Sequence, residues 1–254
     1  MMLDRHNVAV VIPALNERLR IREVVQDALN YADMVIVIDD GSDDGTGDLV
    51  KDQAITLIRH PQRMGKGQSL RDGFKQALAM GALAVTTMDG DGQHLAKDIP
   101  RLIEAANAHP GDVIIGARMK KRASQPWYRR LGNDFGDWGI SWGCGYGVVD
   151  TQSGQRLYPR NVMALEGVAG EGFVFEAQLL ISAAREAGAG IVCVPIEARY
   201  ASPDAAEAFR KSHFRLFRDL YNITSHVVAQ VLSYGHVVRE YRNVRRNPAR
   251  IFKS

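Results

Sequence analysis

The sequence predicts an α/β fold: a mostly parallel sheet with helices on both faces. Three observations carry this. Short apolar runs rich in Val, Ile and Ala recur near 8–12, 34–39, 55–59, 83–88, 112–116 and 191–196, and unbroken apolarity is what strands covered on both sides require. Between them lie stretches of helical periodicity, near 19–31, 45–53, 67–80, 98–108 and 173–187. No internal repeat or low-complexity linker interrupts the alternation, so it reads as one domain.

Taken in order, the first strands share a feature: each runs into polar residues at its carboxyl end. Val8 to Ile12 leads into Pro13, Asn16 and Glu17; Val35 to Ile38 leads into Asp39, Asp40 and a Gly/Asp-rich turn ending at Thr46; the run to Thr87 leads into Met88-Asp89-Gly90-Asp91-Gly92-Gln93-His94. Open parallel sheets place ligands at those ends. Two carboxylates on a glycine-loosened turn can hold a hard divalent cation, which prefers oxygen ligands. Gly65-Lys66-Gly67 looks like a phosphate loop but lacks the Gly-x-x-x-x-Gly-Lys-Ser/Thr spacing, so it is no ATP site. Lys66 is read either as lying near a nucleotide or as a surface lysine.

With 254 residues, 46% hydrophobic and 24% charged, the chain can bury a large core. No stretch reaches the roughly 20 apolar residues of a membrane span, and the polar opening Met-Met-Leu-Asp-Arg-His-Asn is not read as a secretory signal. Cys144 and Cys193 lie far apart without a Cys-x-x-Cys pair. Cys193, within an apolar run, is expected to be a buried strand cysteine. A reducing cytoplasmic setting is the expectation.

The ordered motifs resemble family 2 nucleotide-sugar glycosyltransferases, and within them the dolichyl- and polyprenyl-phosphate sugar synthases. The resembling stretches are Pro13 to Glu17, Asp39 to Thr46, Gly65 to Gly67 with Leu70 to Phe74, Asp89 to His94, Gly116 to Arg118, Asp150 to Arg156, Phe173 to Glu176, Val194 to Ile196 and Lys211 to His213. Two departures stand out: Arg63-Met-Gly-Lys-Gly where the family often has Asn-x-Gly-Lys-Gly, and Gly-Ala-Arg118 where it has Gly-Ser-Arg.

The resemblance implies a GT-A fold, placed over 1–212; the remainder, 213–254, reads from its own residues as a basic amphipathic helical tail. It implies an inverting transferase that moves one hexose from a nucleoside-diphosphate sugar, of GDP-mannose or UDP-glucose type, to a polyprenyl phosphate. Pro13, Asn16, Glu17, Asp39, Asp40, Lys66 and Asp89 are then nucleotide-pocket residues, with Asp39 and Asp40 assigned to base and ribose. Asp89, Asp91 and Gln93 are the expected ligands of Mg²⁺ or Mn²⁺, which relieves the charge growing on the leaving phosphate. A phosphate acceptor is already ionised and needs positioning and charge cancellation, tasks that suit arginine. Arg118 is the first candidate and Arg130 the second, with Arg199, Lys211 and Ser212 weaker. Asp150, Ser153, Gly154 and Arg156 match the acceptor-side motif. Were the acceptor a hydroxyl, Asp150 could serve as base, and Glu171 and Glu176 are comparable candidates. The processive Gln-x-x-Arg-Trp signature is not found, so one sugar per turnover is expected.

Pro126 to Val148 interleaves Trp127, Tyr128, Phe135, Trp138, Trp142 and Tyr146 with six glycines. Such rings suit either a lipid head-group interface or a helix pair packed on the sheet. From Phe214 the chain mixes apolar residues with a basic end, Arg239 to Lys253. This fits helices lying on anionic lipid, or a helix pair that closes the core. Peripheral membrane contact, directly or through a partner protein, is the expected location. Two alternatives stay open: transfer to a lipid or glycan hydroxyl, and a non-catalytic nucleotide-sugar-binding regulatory subunit. No recognisable nucleic-acid module accompanies the basic tail, so nucleic acid is not expected as a partner.

Overall fold

The computed structural model describes residues 1–119, 127–168, 172–197, 225, 227–235 and 237–253. Fifteen elements organise it: β1 (Val8–Ala14), α1 (Ile21–Leu29), β2 (Met34–Asp39), β3 (Thr56–Arg59), α2 (Lys66–Ala79), β4 (Ala84–Thr87), α3 (Ile99–Ala108), β5 (Val113–Ala117), α4 (Trp127–Cys144), β6 (Arg156–Pro159), α5 (Arg160–Met163), α6 (Gly172–Arg185), β7 (Ile191–Pro195), α7 (Val237–Arg246) and β8 (Arg250–Ile251). The strands form one sheet in the order β3-β2-β1-β4-β6-β5-β7-β8. All neighbours run parallel except where β6 lies antiparallel between β4 and β5.

The central strand β1 is buried along its length except for the partly exposed Pro13, as expected of a strand with helices on both sides. On one face α1 contributes Ile21, Val24, Val25 and Ala28, spaced to form a single apolar stripe. Beside it α3 contributes Ile99, Leu102 and Ile103 to the same cluster. The opposite face receives Leu70, Phe74 and Ala77 of α2, together with α6. Gly73 lets α2 lie directly on Val11, where any Cβ would collide with that side chain.

Register then aligns the strand ends. Ala14 of β1 stands opposite Asp39 of β2, and Val11 opposite Thr87 of β4. Asp40, Glu17 and Asp89 therefore emerge on one rim of the sheet.

Four elements differ from the sequence expectation, one of them the unexpected short helix α5. The helix expected over 45–53 is a short 3-10 turn, Thr46–Leu49, in which Gly47 lies against Asp39 and Arg59 with no room for a side chain. β6 and β8 were not expected. β8 pairs with β7 and brings residues 250–251 of the tail onto the sheet edge. Val227 and Val231 join the core, and Glu240 is buried against Arg185 at 3.2 Å. Both cysteines are buried and unpaired, and burial pushes each thiol up to about 12. Among the described residues no helix is long and apolar enough to cross a membrane.

Candidate active site

The acidic turn after β4 is built by its own short-range contacts. The Asp91 carboxylate accepts the Gln93 backbone N–H at 3.0 Å, and Gly92 takes a left-handed φ of 74° to allow it. The Asp89 backbone N–H donates to Nδ1 of His94 at 3.1 Å, which places the His94 proton on Nε2. Burial holds His94 down to about 4, against the charge of Asp89, so it stays neutral while it closes the turn.

Lys66, the first residue of α2, reaches across to this turn. Its Nζ lies 2.7 Å from Asp89 Oδ1 and 3.3 Å from Glu176 Oε2. Burial opposes the charge of Lys66, but the two carboxylates outweigh it and raise its pKa. The reverse holds for Asp89: burial favours the acid form, and Lys66 overrides it to keep the carboxylate ionised. For Asp91 the relief from the Gln93 N–H and from Lys66 is outweighed. Burial first, and the Asp89 charge second, push it up to about 6. Two hard carboxylates with surplus negative charge suit a divalent ion that takes one or two carboxylates plus phosphate oxygens. Among the described residues no three His, Cys, Asp or Glu side chains converge for a metal, so the remaining ligands would come from donor phosphates or water.

The other strand ends wall this turn. A Cβ on Gly90 would lie 3.3 Å from Ala14 Cβ and 3.4 Å from both Pro13 O and Glu17 Cγ. Asn16 adopts φ 58°; its backbone N–H donates to Ser42 Oγ at 2.9 Å while its Oδ1 accepts from Asp43 N–H at 3.0 Å. Glu17 N–H donates to Thr46 Oγ1 at 2.8 Å. Asp39 accepts the Ser42 N–H at 3.0 Å. Asp40 is buried and takes the Met64 and Gly65 N–H groups, each at 2.8 Å, and His60 Nδ1 at 2.8 Å. Its carboxylate thus shapes the loop that delivers Lys66, a role that its place in the motif did not indicate.

From the far side, Thr87 Oγ1 donates to Gly154 O at 2.7 Å and draws the Asp150–Arg156 segment against β4. Gly154 then abuts Asp89: a Cβ there would stand 2.5 Å from Oδ2. Arg156 is 1% exposed, yet its guanidinium is satisfied by Thr151 O at 2.6 Å, Ser153 O at 2.7 Å, Tyr158 Oη at 3.0 Å and Glu176 O at 3.3 Å. Among the described residues the Ser153 hydroxyl is buried without a hydrogen-bond partner.

Arg118, just past β5, grips Asp150 with two parallel hydrogen bonds, Nε to Oδ2 at 2.9 Å and Nη2 to Oδ1 at 2.7 Å. Its backbone N–H adds a third at 2.7 Å. Burial would raise the Asp150 pKa, but Arg118 outweighs burial and holds it below the ordinary value. The Arg118 charge also acts on Asp89 and His94. The acidic turn, Lys66, Glu176, Arg118 and Asp150 therefore share one cleft. Arg130 belongs to α4, but its side chain, like Glu171, Arg199, Lys211 and Ser212, lies outside the described residues. Neither His94 nor Asp137 has a role that the sequence alone indicates; the contact of His94 with Asp89 and of Asp137 with the Asp150 turn identifies them.

Comparison with known proteins agrees with this geometry. The chain is 30% identical over 201 residues to polyprenol monophosphomannose synthase of Mycolicibacterium smegmatis, covering 74% of this chain and 75% of that one. It is 29% identical over 181 residues to UDP-N-acetylglucosamine–dolichyl-phosphate N-acetylglucosaminyltransferase of Methanococcus voltae, covering 61% and 70%. Across four curated relatives the chain spans 66% to 82% of their length. In fold it resembles glucosyl-3-phosphoglycerate synthase of Mycobacterium tuberculosis, solved with Mg²⁺ and UDP, at TM-score 0.63 and 24% identity over 89% of this chain and 78% of that one. The expected GT-A architecture is thereby met. The family model for glycosyl transferase family 2 matches residues 9–162, a span that takes in β1, all three acidic strand ends and the Asp150–Arg156 segment, and the chain belongs to that family.

Proposed function

We propose that this transferase moves a single hexose, with inversion, from a nucleoside-diphosphate sugar of GDP-mannose or UDP-glucose type to a polyprenyl phosphate at the inner face of a membrane. The observation that carries the reading is the Arg118–Asp150 pair. A hydroxyl acceptor needs a base poised near the working pH, whereas Asp150 is held well ionised by Arg118 and is a weak base. A phosphate acceptor brings its own charged oxygen, and a guanidinium oriented by a carboxylate is suited to steer it. Both curated relatives act, by name, with polyprenyl-type lipids but on different sugars, which supports the acceptor class and leaves the donor a proposal.

In this reading Asp39 with the Pro13–Glu17 loop holds the nucleoside, and Asp89 and Asp91, with Gln93 beside them, hold Mg²⁺ or Mn²⁺. A bound divalent ion offsets the charge that develops on the leaving diphosphate. Lys66, already facing Asp89, adds positive charge on the α2 side. Arg118 aligns the acceptor oxygen for direct attack on the anomeric carbon, and neutral His94 keeps Asp89 in place. The exposed Phe135 and Trp138 of α4 and the basic α7, with Arg242, Arg245 and Arg246 exposed, support peripheral contact with anionic lipid.

The test is calorimetric binding of GDP, UDP, GDP-mannose and UDP-glucose with Mn²⁺ or chelator, on the native chain and Asp91→Ala, followed by product configuration by NMR. One nucleotide should bind in a manner that needs both metal and Asp91, and the product should carry the inverted anomer. Retention of donor configuration would refute direct displacement. Binding without turnover over a range of lipid phosphates would favour a regulatory subunit.

A further inference from the structure

The cleft depends on a residue that does not face it. Asp137 of α4 is buried, and its carboxylate accepts three hydrogen bonds from the turn that carries Asp150. Oδ2 accepts the Asp150 N–H at 3.0 Å, and Oδ1 accepts the Thr151 N–H at 2.8 Å and Thr151 Oγ1 at 2.7 Å. Four residues on, Ser141 occupies the same face of α4 and pairs with Val148, accepting its N–H at 2.9 Å and donating to its O at 3.3 Å. The helix thus serves as a template for the returning strand of chain from 148 to 151.

The template ends where it is most needed. Asp150 sits at φ 51°, a left-handed conformation that costs a non-glycine residue about 1 kcal/mol or more and persists only where surroundings enforce it. Enforcement comes from two sides: Arg156 holds the Thr151 and Ser153 carbonyls from β6, and Asp137 holds the amides from α4. That turn points the Asp150 carboxylate at Arg118.

We infer that Asp137 is a positioning residue for the acceptor phosphate, acting through the Asp150 turn to fix the direction of the Arg118 guanidinium. The inference rests on the acceptor reading proposed above. It adds an element that would set acceptor affinity separately from donor affinity, since the Asp137 carboxylate is engaged by the Asp150–Thr151 turn.

The test uses the full chain with metal, nucleotide sugar and a short polyprenyl phosphate, comparing Asp137→Asn, Thr151→Val, Arg118→Ala and the double variant Asp137→Asn/Arg118→Ala. An amide at 137 must turn its NH₂ toward one of the backbone N–H groups that the carboxylate accepts, so at least one contact becomes repulsive. Asp137→Asn should raise the acceptor KM about tenfold, the scale of one lost charged hydrogen bond, with metal-dependent nucleotide affinity unchanged within about twofold. Thr151→Val removes only the hydroxyl contact and should shift the acceptor KM in the same direction by a few-fold, which keeps the inference testable if Asp137→Asn does not fold. The double variant should be no worse than Arg118→Ala alone, because residues acting through one another are not additive. Full additivity, or nucleotide affinity that falls together with acceptor affinity, would overturn the inference. If Arg118→Ala raises the acceptor KM and neither Asp137→Asn nor Thr151→Val does, the inference alone fails. If Arg118→Ala leaves it unchanged, the acceptor reading fails and takes the inference with it.

Discussion

Gly154 offers a way to reach Asp89, the proposed metal ligand, without altering any charge. The two segments meet with no room for a methyl group: a Cβ at position 154 would lie 2.5 Å from Asp89 Oδ2, 2.9 Å from Oδ1 and 3.0 Å from Cγ. Carbon and oxygen in ordinary contact stay about 3.4 Å apart, so Gly154→Ala demands a shift of nearly 1 Å between carboxylate and loop. The loop resists, since Thr87 Oγ1 holds Gly154 O and Arg156 holds Ser153 O. Asp89 is short and tied to Lys66 at 2.7 Å, so the carboxylate must rotate. Metal coordination tolerates about 0.2 Å, and a misplacement near 1 Å costs on the order of 100-fold, or about 2.7 kcal/mol. We expect metal-dependent nucleotide binding to fall by that factor in calorimetry while circular dichroism and the chelator-treated melting temperature stay near the native values. Unchanged metal-dependent binding in a folded Gly154→Ala chain would refute both the placement of Asp89 at the metal and the rigidity of the loop beside it.

Two further outcomes follow from the electrostatics. Asp91 is raised to about 6, so without metal the folded chain binds this proton more tightly than the unfolded chain; stability from this group is present below the unfolded value and is lost as pH rises from about 4 to about 6. Metal needs the carboxylate, so metal-dependent nucleotide affinity should drop about tenfold from its plateau by pH 5, a trend that calorimetry across pH 5 to 8 checks and a flat profile would contradict. Lys66→Met removes the ammonium that faces Asp89 and Glu176 and should lower the metal-free stability by about 1–3 kcal/mol, discounted for partial exposure of the pair. Added Mn²⁺ should recover more of the melting temperature in this variant than in the native chain, and equal gains in both would argue that the ammonium and the metal do not share Asp89.

The legible part of the molecule is the part where composition acts locally. Unbroken apolar runs gave β1, β2 and β4, and parallel pairing forces their polar ends to one rim, so the acidic turns and the cleft could be expected together. What escaped depends on partners that periodicity does not reveal, several of them distant in sequence. The segment Arg156-Leu-Tyr-Pro159 does not read as a strand, because an arginine in a buried strand is unfavourable until its donors are met. The carbonyls of Thr151, Ser153 and Glu176 meet them, and no periodicity announces that. The resemblance assigns Asp40, with Asp39, to base and ribose; its engagement with Met64, Gly65 and His60 is a further role that requires knowing that the 60–65 loop folds back over β2.

The aromatic segment forms one helix that is packed on the body and carries exposed rings, and the lipid reading of those rings stands as a proposal. Its inner face carries Asp137 and Ser141, both buried, and they organise the acceptor-side chain. Its outer face carries Phe135 and Trp138 with ring centroids 5.8 Å apart, and Trp138 continues to Trp142 at 5.5 Å. The helix is therefore packed on the body and aromatic toward the outside, with Asp137 only one residue from Trp138. A lipid phosphate drawn from a membrane would meet the outer rings and the Arg118–Asp150 pair on two sides of the same rigid element. On the proposed reading the helix that meets lipid would also set the geometry of the group that receives its phosphate, which would give the buried Asp137 a role within a segment rich in rings and glycines.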